Sequence, residues 1–188
     1  MILHPASRSR RLGIPGLPSG DRTGTALGRR LDDDYHWFRS IGPGGIEPID
    51  AVIVGPGGTF AVTLTGERGR FARRNAHWYR WNRSTESWVP WDAAPITAAR
   101  MAGRRLSLYL ERAALPASVE TILVPQAEME VAFDPSDPTG VVVERDTDRV
   151  ASLVSSEERL SQAQIDRIVA LLDPRQPLPQ LAPSTPRG

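Results

Sequence analysis

The sequence predicts a mixed α/β domain, a central β-sheet with α-helices packed on it. Three observations carry this. Segments of helical and strand periodicity follow one another in the order helix, three strands, hairpin, helix, strands, helix. Two β-rich runs, "IEPIDAVIV" and "TFAVTLT", flank the turn Gly55-Pro56-Gly57-Gly58. A capped amphipathic helix closes the pattern before a proline-rich stretch.

Taken in order, Asp21 is placed to cap a first helix reaching to about Asp34, with Ala26, Leu27 and Leu31 as its apolar stripe and Tyr35 extending it. Gly24 and Gly28 weaken this helix by ~1 kcal/mol each relative to alanine. "YHWFRSI" is the first strand, and the two runs around the glycine turn are the second and third. "HWYRWNR" and "SWVPW" form a hairpin around Ser84–Ser87. A helix from about Ala94 to Ala113 turns Ile96, Ala99, Leu106 and Leu110 inward. "VETILVP", "MEVAF" and "GVVVE" are further strands, followed by a short helix near Arg149–Val154. In the last helix Ser161 and Gln164 form a capping box, and Ile165, Ile168, Val169 and Leu172 recur at helical spacing.

The 188 residues suit one domain with tails. Residues 1–20, with Pro5, Pro15, Pro18 and the pair Arg10-Arg11, are expected to be a flexible basic arm. Residues 21–173 are the folded domain, and 174–188 a proline-rich disordered tail. Cysteine is absent, which excludes disulfides and thiolate metal sites, and His4, His36 and His77 form no spaced zinc pair. No signal-peptide run or apolar stretch of membrane-spanning length occurs, so the expectation is a soluble, cytoplasmic protein without a membrane partner. Every residue of the Lys/Arg class is arginine, and the net charge is +1, so any field attracting a polyanion must be local.

The stretch "IDAVIVGPGGTFAVTLTGERGRF" together with the element order resembles the nuclease-related domain, NERD. Ile49, Asp50, Val52, Val54, Gly55, Pro56, Gly57, Gly58 and Phe60 carry the likeness. Trp78, Pro95-Ile96, Leu160-Ser161, Gln164-Ile165, Ile168 and Leu172 support it over about residues 22–172. The resemblance implies a restriction-endonuclease-like fold. It also implies a magnesium nuclease site made of a first-helix acid, the strand aspartate and an E-x-K pair. Two carboxylates hold the hard cation against a phosphate, and the lysine stabilises charge growing there. At period two, glutamate and lysine share one face of the strand.

Aligned on the glycine turn, the E-x-K positions hold Thr63 and Thr65, the helix acid corresponds to Thr25, and a family glutamine corresponds to Thr97. Only Asp50 matches the catalytic set. The expectation is therefore a pseudoenzyme with no catalytic residues and no cofactor, binding nucleic acid (DNA) or a protein partner. One alternative is an active magnesium-dependent nuclease using Asp50 and a relocated acid such as Glu67. Another is a structural or regulatory interaction domain. Asp50 itself has three readings: a residual metal ligand, a hydrogen-bonded structural acid, or a solvated one. Gly55–Gly58 leads into a strand, so it suits a strand-connecting turn better than a phosphate cradle. From Arg68 to Trp91, arginines alternate with aromatics, and Arg70, Arg73, Arg74, Arg80 and Arg83 are the candidate nucleic-acid contacts. A hairpin with arginines lying over tryptophans, or a protein interface, are the other readings of that stretch. Alternation puts Trp78 and Arg80 on one face of the hairpin, and His77, Tyr79, Trp81 and Arg83 on the other.

Overall fold

A computed structural model describes residues 1–4, 21–42, 48–132 and 140–173. Most of the expected basic arm and all of the expected tail lie outside these residues. Asp21 caps α1 (Arg22–Leu27), accepting from the Gly24 amide, but the helix ends far short of Asp34. Gly24 and Gly28 fall within six positions here, and three aspartates follow at 32–34, so little favours further turns. Leu31 and Tyr35 are buried all the same.

The main sheet has the order β1-β2-β3-β4-β8-β10. It comprises β1 (Ile2–His4), β2 (His36–Ile41), β3 (Ile49–Gly55), β4 (Gly58–Thr65), β8 (Val119–Pro125) and β10 (Val142–Val143). β2, β3 and β4 form an antiparallel meander, and β8 joins β4 in parallel after the crossover helix α2 (Ala94–Arg112). β1 lies inside the stretch read as a flexible arm: it pairs in parallel with β2, Leu3 opposite Trp37. "GVVVE" yields only the two-residue β10.

Alternation along the strands assigns the two faces. Ala51 and Ile53 of β3, Phe60 and Val62 of β4, and Ile122 and Val124 of β8 pack with Leu27 of α1 and with Val150 and Val154 of α3 (Thr147–Val154). Val52, Val54 and Ala61 face the other way, onto Leu106 and Leu110 of α2 and Ile165, Ile168 and Leu172 of α4 (Gln162–Leu172). The capping box of Ser161 and Gln164 is present. Helices thus cover both faces, and the strands are apolar on both.

A second sheet, order β7-β6-β5-β9, makes the fold two mixed sheets rather than one. It consists of β5 (Gly69–Arg74), β6 (His77–Asn82), β7 (Ser87–Pro90) and β9 (Met129–Ala132). β5, Gly69–Arg74, is a strand that the sequence reading did not place. The two sheets are joined by one ribbon. β4 pairs with β8 as Thr65↔Pro125, and β5 pairs with β9 as Gly69↔Met129. The sequence offset is unchanged, so both chains break at the same level. The Gln126 amide donates to Thr65 O at 2.8 Å and the Gly69 amide to Glu128 O at 2.9 Å, clamping the break on both sides.

Candidate functional site

The strand positions implied by the nuclease resemblance, Asp50, Thr63 and Thr65, meet at this joint. The β3–β4 ladder runs from Gly55↔Gly58 to Ala51↔Val62. One step beyond, Asp50 closes it with a side chain: Oδ2 accepts from the Leu64 amide at 3.0 Å. Asp50 shares a face with Val52 and Val54, and Thr63 and Thr65 share it with Ala61. Leu64 points the other way and packs on the cluster containing Phe60 and Val62. Thr63 and Thr65 are both buried. Thr65 Oγ1 accepts from the Glu67 amide at 3.1 Å, a local turn that ends the strand. Glu67 therefore lies in the connection between β4 and β5 rather than on a continuing strand.

The helix position behaves differently. Thr25 is exposed, whereas Thr23, two residues earlier, is buried and accepts from Gln126 Nε2 at 3.3 Å. Gln126 Nε2 also reaches Val124 O at 3.5 Å. Thr23 and Gln126 are thus the polar pair that ties α1 to the joint, and neither was singled out from the sequence. The signal was there: Thr23 lies four residues before the inward Leu27 and shares its face, while Thr25 is half a turn away. Thr97 is exposed on the first turn of α2.

These residues do not fit magnesium. The cation takes several oxygen ligands, usually from more than one carboxylate. Asp50 is the only carboxylate among the aligned positions, with Oδ2 engaged by an amide, and Thr25, Thr63, Thr65 and Thr97 carry neutral hydroxyls. Among the described residues, no three His, Asp or Glu side chains gather into a group that could hold a metal.

The glycine turn has its own structural work. The Pro56 carbonyl accepts from the amides of Arg159 at 2.7 Å and Leu160 at 3.0 Å, fastening the segment between α3 and α4. Gly57 sits against the Val154 carbonyl: a methyl there would lie 2.8 Å from its carbon and nearer still to its oxygen. Gly58 has φ +132°, a conformation that side chains resist. Tyr35 covers Gly55 with its ring and donates to Val154 O at 3.4 Å.

The second sheet divides the candidate arginines. Phe71 stands opposite Arg80, and Arg73 opposite Trp78. This face turns inward, where Trp78, Trp91 and Met129 pack on Ala93, Ile96 and Ala99. Arg80 reaches back over the Phe71 ring, 5.8 Å from its centroid. The outward face carries Arg70, Arg74, His77, Tyr79, Trp81 and Trp88. Trp81 and Trp88 are cross-strand neighbours with centroids 5.4 Å apart. Arg70 lies 5.8 Å from the Trp81 ring and Arg74 5.4 Å from Trp88. Arg83 is exposed on the turn between β6 and β7. Arg68, Arg70, Arg80, Arg83 and Trp81 line a concavity of about 850 Å³ that also receives Glu128 and Glu130. Between Arg68 and Trp91 there are six arginines and one acid, Glu86, so a chain of net charge +1 has a strongly cationic sub-sheet.

None of the helices among the described residues is long and apolar enough to cross a membrane. No protein-family model matches this chain, and no curated protein or solved structure matches it significantly.

Proposed function

We propose that this chain is a restriction-endonuclease-like domain of the NERD type that binds nucleic acid without cleaving it. The observation that carries the proposal is the state of the joint. Its one aligned carboxylate completes a β-ladder, and Thr65, at the lysine position, shapes a turn. Groups that serve backbone amides in this way are supports for the sheet rather than a nuclease's chemistry. The fold-level likeness is supported by the element order, in which α1, the β2–β3–β4 meander, the β6–β7 hairpin, α2 and β8 follow one another as the resemblance implies. The binding half of the proposal is supported by the cationic, aromatic second sheet.

The test is cleavage of single- and double-stranded DNA with magnesium or manganese, beside Asp50→Ala and Glu67→Ala. No cleavage attributable to the protein is expected, together with salt-sensitive retention of nucleic acid. Cleavage that disappears in both variants would overturn the proposal in favour of a relocated active site. Absence of nucleic-acid binding at low salt would leave an interaction domain for proteins.

A further inference from the structure

We infer that the outward face of β5–β6–β7–β9 is a stacking platform for single-stranded nucleic acid. This rests on the proposal that the domain binds nucleic acid, and it names the class.

Three features of the face point there. First, three aromatic rings share the face. Trp81 and Trp88 pair across β6 and β7, and Tyr79 follows two residues along β6. A step of two residues along a strand is about 7 Å, enough to separate bases that have left a helical stack. None of these three rings belongs to a core cluster, unlike Trp37 or the inward Trp78 and Trp91, which pack within or against one. Second, cations sit beside the rings. The exposed Arg70 and Arg74 guanidinium groups lie over the half-buried rings of Trp81 and Trp88 in cation–π contacts. Such contacts are weak in water, so a base can take the ring face while the guanidinium turns to the neighbouring phosphate. Third, Glu130 stands opposite Arg70 at 3.4 Å, while Arg74 and His77 stand opposite each other, with no acid between them among the described residues.

A duplex fits this face poorly. Its base faces are hidden in the stack, and its grooves admit a helix or a narrow ribbon rather than a four-stranded face. An unpaired strand offers both π-faces and phosphates. Stacking of this kind is tolerant of sequence, because every base has a π-face.

The experiment uses the full chain with labelled oligothymidylate and oligouridylate of about 12 nucleotides, within the span of a small β domain, and a duplex of the same length. Fluorescence anisotropy across a salt series gives affinity and slope, and quenching of tryptophan emission reports stacking directly. Both single strands are expected to bind tighter than the duplex and to quench emission. Trp88→Ala is expected to weaken single-strand binding by roughly 5- to 150-fold. Arg70→Ala with Arg74→Ala should flatten the single-strand slope by about 1.4, two phosphates' share. If Trp88→Ala lowers the melting temperature, quenching in the wild type and the double arginine variant still decide. Duplex affinity equal to or above single-strand affinity, or binding without quenching, overturns the platform while leaving nucleic-acid binding intact. Binding of neither form at low salt overturns both.

Discussion

Gly57→Ala tests whether the motif that carries the nuclease resemblance is a structural knot. The added methyl would lie 2.8 Å from the Val154 carbonyl carbon, where ordinary contact begins at 3.4 Å, and it would also press on Glu157 O at 3.3 Å. Backbone on both sides leaves no flexible side chain to yield. The end of α3 must therefore retreat by roughly an ångström in a close-packed region. That movement strains the bonds from the Arg159 and Leu160 amides to Pro56 O and from Tyr35 Oη to Val154 O. Two backbone hydrogen bonds at about 1 kcal/mol each, with the displacement of the fully buried Val154, give a loss of about 3 kcal/mol. For a domain of this size that lowers the melting temperature by about 6–12 °C. Gly66→Ala is the control, since nothing lies within 4 Å of its added methyl. It should be neutral or gain up to about 1 kcal/mol through the unfolded chain. Thermal and urea melts of the two variants give the answer. A Gly57→Ala protein melting within about 2 °C of wild type would refute the assignment of this turn to packing.

Asp50→Asn keeps an acceptor for the Leu64 amide, so its stability should stay within about 1 kcal/mol of wild type, while Asp50→Ala should cost about 1–3 kcal/mol. Magnesium should leave the melting temperature of the wild type unchanged, and an upward shift lost in Asp50→Asn would restore a metal site. Thr59 Oγ1 is buried on β4 without a hydrogen-bond partner among the described residues, so Thr59→Val should raise stability by about 1 kcal/mol in a urea titration, and a loss would place a partner there after all. Burial lowers the His36 pKa below its usual 6.5, against the opposing charge of Asp166. The unfolded chain then binds the proton more tightly, so stability present above 6.5 is lost as pH falls through the folded value. The melting temperature should decline between about pH 7 and 5, less so in His36→Gln, and equal slopes in the two proteins would dismiss His36 as the cause.

Where one residue type has one physical use, the sequence was legible. Ile96, Ala99, Leu106 and Leu110 were placed inward by spacing and are buried, and Ser161 with Gln164 could only be a helix start. Alternation also separated Trp78 from Tyr79 and Trp81, and the structure turns the Trp78 face inward. What escaped were features decided by distant partners. β1 is three residues whose strand character comes from lying beside β2. β5 hides in "GRFARR", where arginine outweighs β-formers, and it gains its order from β6 and β9. Gly57 announces a turn, but its close fit against Val154 spans nearly a hundred residues. The role of Asp50 depended on which amide the end of the β4 ladder left unpaired, and only the register supplies that.

The uninterrupted register through the joint also sets how the outer sheet can answer a load. It is held by two strands that break at the same level, residues 66–68 and 126–128, with an amide clamp on each side, and by its inward face, where Trp78, Trp91 and Met129 pack on Ala93, Ile96 and Ala99 as β7 runs into α2. Twisting or sliding would shear the ladder, and bending towards α2 meets the packed face of Trp78, Trp91 and Met129. A load on the outward face is passed through the bond between the Gln126 amide and Thr65 O to the main sheet. The force would arrive beside Asp50 and Thr23, so the polar corner that closes the β3–β4 ladder and ties down α1 would also serve as the anchorage of the outer sheet.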